Sequence, residues 1–455
     1  MILELRMRTS GWVFAASVIA AHPASAQPGA QPSITSQQLA RTWDAEHVSP
    51  PLPPLLDHAE LVKRLDAVVA QSPSLFRMEK IGQSVEGRSI HHVWVGSGPV
   101  GVVLWSQMHG DEATATSALL DVFEYIRRHR AEEPVRGILS SLTLHFVPML
   151  NPDGAELFQR RNAQSIDINR DALRLQTPEG RVLKALRDRL KPKVGFNLHN
   201  QGWRTSVGEP PKPASISLLS VAYDASRTEN AGRVLTKKLC AIIRDALEPL
   251  ASGQIGRYDD EFEVRAFGDN ITLWGTPVVL IETGPWPSEV PDPPLVRLNF
   301  IALVSALDAL ATGRVDRADP KRYEELPKNE SRGLHVLVRN ATVINGAGVP
   351  PFIADIGITA SRRVRVVNGR RELQVATVID DMGDLRTLGA IRTIDASGMT
   401  VIPLLDESLQ PGQTVDLPEW RTASTATIGV GQPARLVILK PGGEPGKFVV
   451  EAVLR

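Results

Sequence analysis

Three stretches of this chain are almost wholly apolar, and each runs out on a titratable side chain. Val100 to Ser106 leads into Gln107-Met108-His109-Gly110-Asp111-Glu112, Val194 to His199 ends on a histidine, and Pro277 to Ile281 ends against Glu282. Apolar runs this short have the length of buried strands. Between them lie segments with apolar residues at helical spacing, such as Ala113 to Arg130, which carries Leu119, Leu120, Phe123 and Ile126 on one stripe. Thr177 to Leu190, Thr228 to Leu247 and Leu295 to Leu310 read the same way, as does Asp57 to Ala70 behind a capping aspartate. Leu142 to Leu150 adds a further strand. Strands alternating with long helices predict an α/β fold, a mixed and mostly parallel sheet with helices on both faces. Such sheets place their chemistry beyond the strand ends, where these His and Glu residues stand.

With 455 residues, 42% of them hydrophobic, the chain can build one large domain and a smaller one. Lys+Arg and Asp+Glu both total 51, so no charge bias points to a nucleic acid. Arg6 and Arg8, the short apolar run Gly11 to Ala21 and the small residues Ala24-Ser25-Ala26 predict a secretory signal over residues 1–26. The expected location is therefore exported, periplasmic or secreted. No other stretch reads as apolar enough to span a membrane. The single cysteine, Cys240, excludes an intrachain disulfide and reads as a buried helical residue. A large disulfide-free exported chain leans towards a bacterial periplasm. Residues 27–54, rich in Pro, Gln and Ser, predict an extended arm, and residues 55–312 the α/β domain. Residues 313–332 are charged without an apolar period and predict a linker. From residue 333 to 455 short Val-, Ile- and Thr-rich runs take over: 335–340, 353–360, 363–367, 371–378, 391–395, 400–403, 434–440 and 448–454. They predict a small all-β module.

His109 and Glu112 stand three apart and can grip one ion from the same turn. With His199 they make two imidazoles and one carboxylate, which leaves the fourth position of a tetrahedral zinc open. His-x-x-Glu is common by chance; its setting at a strand end gives it weight. His145 and the pair His91-His92 lie inside strand-like runs and read as satisfied core residues. Glu282 ends an apolar strand, where a carboxylate is costly unless compensated, and it fits a general base acting on zinc-activated water. Arg160, Arg161 and Arg170, with Asn169, offer planar forks that match a carboxylate or a developing oxyanion.

The order His-Gly-Asp-Glu, Asn151-Pro-Asp-Gly154, Arg-Arg-Asn, Asp-Ile-Asn-Arg, Leu-His and Glu-Thr-Gly resembles the zinc carboxypeptidase family (carboxypeptidase A-like) over residues 55–312. The resemblance implies His109, Glu112 and His199 as ligands of one zinc ion per chain, and Glu282 as the base. It implies Arg160 as the group polarising the scissile carbonyl, with Arg161 an adjacent competitor, and Asn169 and Arg170 as holders of the substrate's terminal carboxylate. A mobile capping tyrosine would be Tyr258, with Arg265 open to a related role. The side-chain pocket would come from 262–274, with Phe267, Asp269 and Trp274 as candidates, and Pro-rich stretches 210–213 and 285–294 would form rigid rims. The implied activity is removal of the last residue from a peptide or peptide-like substrate with a free carboxylate. Two alternatives stand beside it: a zinc deacylase of N-acyl amino acids, and a non-catalytic peptide- or cell-wall-binding relative, against which an intact Glu282 speaks. The module at 333–455 resembles the small β-sandwich flanking the barrel of amidohydrolases, through the runs beginning at Leu337, Ile394 and Ile428. The His-x-His that follows Val-Ile-Pro in that family is missing from Pro403-Leu-Leu-Asp-Glu-Ser. The intervening chain is also too short for a barrel of ~250 residues, so the module reads as non-catalytic.

Overall fold

The computed structural model describes residues 34–288, 290–345, 349–416 and 427–455. These belong to one packed unit, Ser33–Arg455. The signal segment expected at 1–26 lies outside the described residues.

Among the described residues, ten strands and ten α-helices build the first part. The strands are β1 (Phe76–Gln83), β2 (Ser89–Val95), β3 (Val100–Ser106), β4 (Leu142–Val147), β5 (Val194–Asn200), β6 (Ser206–Val207), β7 (Lys212–Pro213), β8 (Ile216–Ser220), β9 (Ile255–Arg257) and β10 (Val278–Thr283). The helices are α1 (Ser36–Glu46), α2 (His58–Gln71), α3 (Thr114–His129), α4 (Val135–Ser141), α5 (Pro152–Leu157), α6 (Pro178–Leu190), α7 (Ala231–Leu247), α8 (Phe267–Leu273), α9 (Asp292–Ala311) and α10 (Lys321–Glu324). One sheet runs β1-β2-β4-β3-β5-β10-β8-β9. Its centre, β4-β3-β5-β10, is parallel, and β1, β2 and β8 pair antiparallel at the flanks. Alternate residues serve opposite faces. Val102, Leu104, Phe196, Val279 and Ile281 pack with Phe123 of α3, Ile243 of α7 and Phe300 of α9. Val103, Trp105, Val278 and Leu280 pack with Leu183 of α6 and Phe267 of α8. The expected α/β sheet with helices on both faces is thus present, and Cys240 is buried in the first of these cores.

The expected extended arm contains a helix instead. Thr35 and Gln38 form a reciprocal capping box at the start of α1, and Leu39, Ala40 and Trp43 bury one face of it. Asp121 fixes the following chain by accepting from the Trp43 indole at 2.7 Å and the Val48 and Ser49 amides at 2.8 and 2.7 Å. Residues 313–332 also pack, contrary to a free linker. Tyr323 of α10 is buried, and its hydroxyl accepts from Ser220 N–H of β8 at 3.2 Å. The expectation of no further membrane-length segment also needs correcting: α9 is long and apolar enough by composition. Leu298, Phe300, Ile301, Leu303 and Leu307 are nevertheless buried against α3 and α7, so α9 is a core helix.

The remaining strands are β11 (Gly333–Val343), β12 (Phe352–Val367), β13 (Arg370–Gly383), β14 (Gly389–Asp395), β15 (Thr400–Pro403), β16 (Thr414–Asp416), β17 (Leu436–Pro441) and β18 (Lys447–Leu454). They join one sheet in the order β13-β12-β11-β15-β17-β18-β16, with β14 branching from β11. The module is all-β as expected, with a continuous branched ladder rather than two separate sheets. The runs 353–360 and 363–367 are one long strand, β12, which pairs with β13 in a projecting hairpin. That hairpin reaches the first part of the molecule: Arg371 donates to the carbonyls of Glu156 at 2.6 Å, Ala155 at 3.0 Å and Pro54 at 3.3 Å. It thereby satisfies the exposed carbonyl end of α5, where a cation is favourable.

Candidate metal centre and active site

β3, β5 and β10 are neighbours, and their carboxyl ends carry His109, His199 and Glu282. Glu282 stands in register with His199 across the β5–β10 ladder. Strand pairing alone therefore unites residues far apart in sequence. The turn after β3 is tightly supported. Gln107 takes a positive φ of 51°, and its amide donates to Gly110 O at 2.9 Å while accepting from the Thr116 hydroxyl at 2.9 Å. Gly110 allows close approach: a Cβ there would lie 1.9 Å from the Gly154 carbonyl carbon.

Glu112 Oε1 lies 2.7 Å from His109 Nδ1, and Oε2 lies 2.7 Å from His199 Nδ1. The two Nδ1 atoms are 3.1 Å apart. All three side chains are buried. His109 Nε2 donates to Asp167 Oδ1 at 3.1 Å; in the neutral ring this leaves Nδ1 with the lone pair, facing the cluster. Electron-rich atoms this close repel one another unless positive charge sits among them. The donor set, two imidazoles and a carboxylate, is that of an open zinc site, and the residues present fit a divalent ion. Burial opposes charge on His109, but Glu112 and Asp167 outweigh it and lift its pKa to about 9. Burial likewise opposes ionisation of Glu112 and Asp167, but the histidines around them hold both carboxyls well below the usual range. Burial pushes His199 down.

Arg160 comes to the cluster. Its Nε donates to Asp167 Oδ2 at 3.0 Å, and its Nη1 lies 3.1 Å from His109 Nδ1 and 3.5 Å from Glu112 Oε1. Asn151 holds its backbone, donating from Nδ2 to Arg160 O at 3.2 Å while capping α5 through Gly154 N–H at 2.9 Å. The Asn-Pro-Asp-Gly run is therefore structural: buried Asp153 accepts from the Ser84 hydroxyl at 2.6 Å and Glu86 N–H at 3.0 Å. Arg161 is not brought in; it is exposed and donates to Ser165 O at 3.1 Å.

Glu282 is buried at 7% exposure, and its Oε2 has no hydrogen-bond partner among the described residues. Burial, then the negative charge of Glu112, raises its proton affinity well above the ordinary carboxylate range. The Tyr258 phenol lies in the field of Glu282, whose charge together with burial pushes it up to about 12. Asn169 accepts from Phe267 N–H at 2.8 Å, so it also positions α8. Arg170 is half-exposed, donates to Asn169 O at 2.8 Å and pairs with Glu263 at 3.4 Å. Arg265 is exposed and pairs with the same Glu263 at 2.9 Å. Phe267 is buried edge-on to Trp274 at 6.3 Å, and burial raises Asp269 to about 7.

Asp167 and Asn197 stand near the candidate site and have no role in the sequence reading. Asn197 is buried on β5 two residues before His199, and neither amide atom has a partner among the described residues. Gly268 of α8 lies against it. Beside the cluster opens a cavity of about 400 Å³, bordered by Glu112, Arg160, Asn200, Trp203, Thr283 and Arg362 among others. Pro285 and Pro291 line it as rims, whereas Pro211 lies against Gly389 of β14.

A family model described as zinc carboxypeptidase matches residues 61–230. Carboxypeptidase M of Mus musculus is 30% identical over 124 residues, covering 24% of this chain and 28% of the relative. The catalytic chain of carboxypeptidase N of Homo sapiens is 29% identical over 140 residues, covering 26% and 30%. The chain thus spans less than a third of the length of either. A solved carboxypeptidase A from Helicoverpa armigera superposes with a TM-score of 0.47 at 15% identity, covering 61% of this chain and 80% of that one. A metallo-carboxypeptidase from Burkholderia cenocepacia gives 0.44 at 20% identity, covering 54% and 67%. The matched segment contains His109, Glu112, Arg160, Asn169, Arg170 and His199; Tyr258 and Glu282 lie beyond it.

Proposed function

We propose that this chain, whose residues 61–230 match the zinc carboxypeptidase family model, hydrolyses the last amide bond of a peptide or peptide-like substrate bearing a free carboxylate. The observation that carries the reading is the convergence of His109, Glu112 and His199 with buried Glu282 in register beside His199, its Oε2 without a partner among the described residues. His109 and His199 through Nδ1, and Glu112 through its carboxylate, would hold one zinc ion per chain. Bound there, zinc supplies a Lewis acid and lowers the pKa of water. Glu282 accepts a proton from the attacking water and returns it to the leaving amine. Arg160 stabilises the oxyanion that develops from the scissile carbonyl. Arg170 and Asn169 take the terminal carboxylate, and Tyr258 closes over the substrate. Asp167 keeps His109 in the ligating tautomer and anchors Arg160 in the same contact. Residues 1–26 would direct the chain out of the cytoplasm.

The test is metal analysis with activity on peptides whose C-terminus is free or amidated, before and after chelation. Expected are near-stoichiometric zinc, cleavage of the free acid only, loss on chelation and return with zinc. Glu282→Gln should keep its zinc and lose at least ~10²-fold in kcat. Turnover equal to wild type in that variant removes Glu282 from the mechanism, and equal cleavage of amidated peptide removes the carboxylate requirement.

A further inference from the structure

We propose that the cavity beside the metal cluster binds the peptide chain on the amino side of the scissile bond, and that β12 of the all-β module determines specificity there through Arg362. The inference deepens the carboxypeptidase reading and depends on it. In that reading Arg170 anchors one end of the substrate and Arg160 marks the reacting carbonyl. Neither Arg170 nor Asn169 borders the cavity, whereas Arg160 and Glu112 do. A chain held at Arg170 and presented to Glu282 therefore continues, on its amino side, into this space.

One wall is the chain that leaves β5 and β10, including Asn200, Gln201 and Thr283. The other is Ala360, Ser361 and Arg362 of β12. Arg362 is fixed rather than mobile. Its Nη1 donates to Asp292 Oδ1 at 2.8 Å, with side-chain exposures of 17% and 3% for the two partners. Its guanidinium lies 5.1 Å over the Trp203 ring, which meets His335 of β11 edge-on at 5.2 Å. Asp292 Oδ2 and Arg362 Nε are buried without a partner among the described residues. The Asp292–Arg362 pair lines the cavity beside an apolar rim of Trp203, Pro291 and Leu295, a mixed polar and apolar wall suited to an extended peptide. The Arg371 contacts to α5 tie the hairpin to the first part of the molecule. The all-β module thus completes the substrate groove, and the preferred substrates are peptides extending at least two residues before the bond cut.

The test compares kcat/KM for an N-acetylated pentapeptide and an N-acyl dipeptide with the same last two residues, in the full-length zinc-loaded protein. Wild type should favour the longer substrate. Arg362→Ala should lower the long-to-short ratio about tenfold, which corresponds to ~1.4 kcal/mol. Because that change leaves Asp292 unpaired, Ser361→Trp provides a second arm: Ser361 is an exposed strand residue on the cavity wall, and the indole would fill the groove. It should lower the same ratio. A wild-type enzyme indifferent to length, or an unchanged ratio in both variants at native thermal midpoint and zinc content, overturns the proposal. Failure of wild type to cleave any free-acid peptide overturns the carboxypeptidase reading itself.

Discussion

Asp167 is the sharpest place to test how the metal centre is built. Its carboxylate accepts from His109 Nε2 at 3.1 Å, Arg160 Nε at 3.0 Å and Asn169 N–H at 2.9 Å. Asp167→Asn keeps the volume and leaves one acceptor oxygen. If that oxygen stays with His109 and Asn169, the new NH₂ meets Arg160 Nε donor to donor. If it turns to Arg160, the NH₂ opposes the Nε2–H of His109 and frees the ring to adopt the wrong tautomer. Partners of this kind typically contribute 10- to 100-fold in metal affinity, or about 1.4–2.8 kcal/mol. The zinc Kd should therefore weaken by one to two decades in competition with a chromophoric chelator at fixed pH. At saturating zinc kcat/KM should stay depressed, because Arg160 has lost its anchor. A Kd within about twofold of wild type would refute the claim that Asp167 sets the His109 tautomer.

Two further outcomes test the fold. Gly110→Ala drives a Cβ into the α5 backbone at 1.9 Å, so a destabilisation of about 1–3 kcal/mol is expected, read as a lower thermal midpoint; an unchanged midpoint would show that α5 yields freely. His145 is held neutral in the fold: burial, then the charges of His92 and Arg189, lower its pKa from 6.5 to about 4. Below 6.5 the unfolded chain takes up a proton that the folded chain refuses until about 4, so this contribution is intact above 6.5 and is lost as pH falls through that window. Urea midpoints should decline from pH 7 towards pH 4.5, and His145→Phe should flatten the decline; an equal slope in the variant would discount His145.

The candidate ligands and the candidate base were legible because each ends an apolar run, and the parallel order of β3, β5 and β10 turns those ends into one place. Arg160 and Arg161 could not be separated by sequence. The choice between them is made by Asn151 and Asp167, contacts that exist only in the folded chain. Asp167 itself hid in plain view before Ile168-Asn169-Arg170, since a carboxylate beside a 3₁₀ turn usually does no more than cap it. The β1–β2 hairpin escaped because β1 shows no strict alternation of buried and exposed residues. Helix α1 was masked by Ser and Gln around a sparse Leu39-Ala40-Trp43 stripe. The approach of β12 to the cleft has no local signature, because the Arg362–Asp292 pair links residues 70 apart.

The pairing of β3 with β5 carries a consequence for the order of events during biogenesis. His109 and Glu112 are local, but His199 stands 90 residues downstream of His109 and reaches it only through a completed ladder. Long-range pairing of this kind is slow to form. An ion cannot serve as the seed around which such a chain organises itself, as it does in small fingers whose ligands are close in sequence. On the proposed zinc reading, the chain would complete this ladder before all three side chains could grip an ion together, and metal retention would report on a finished architecture.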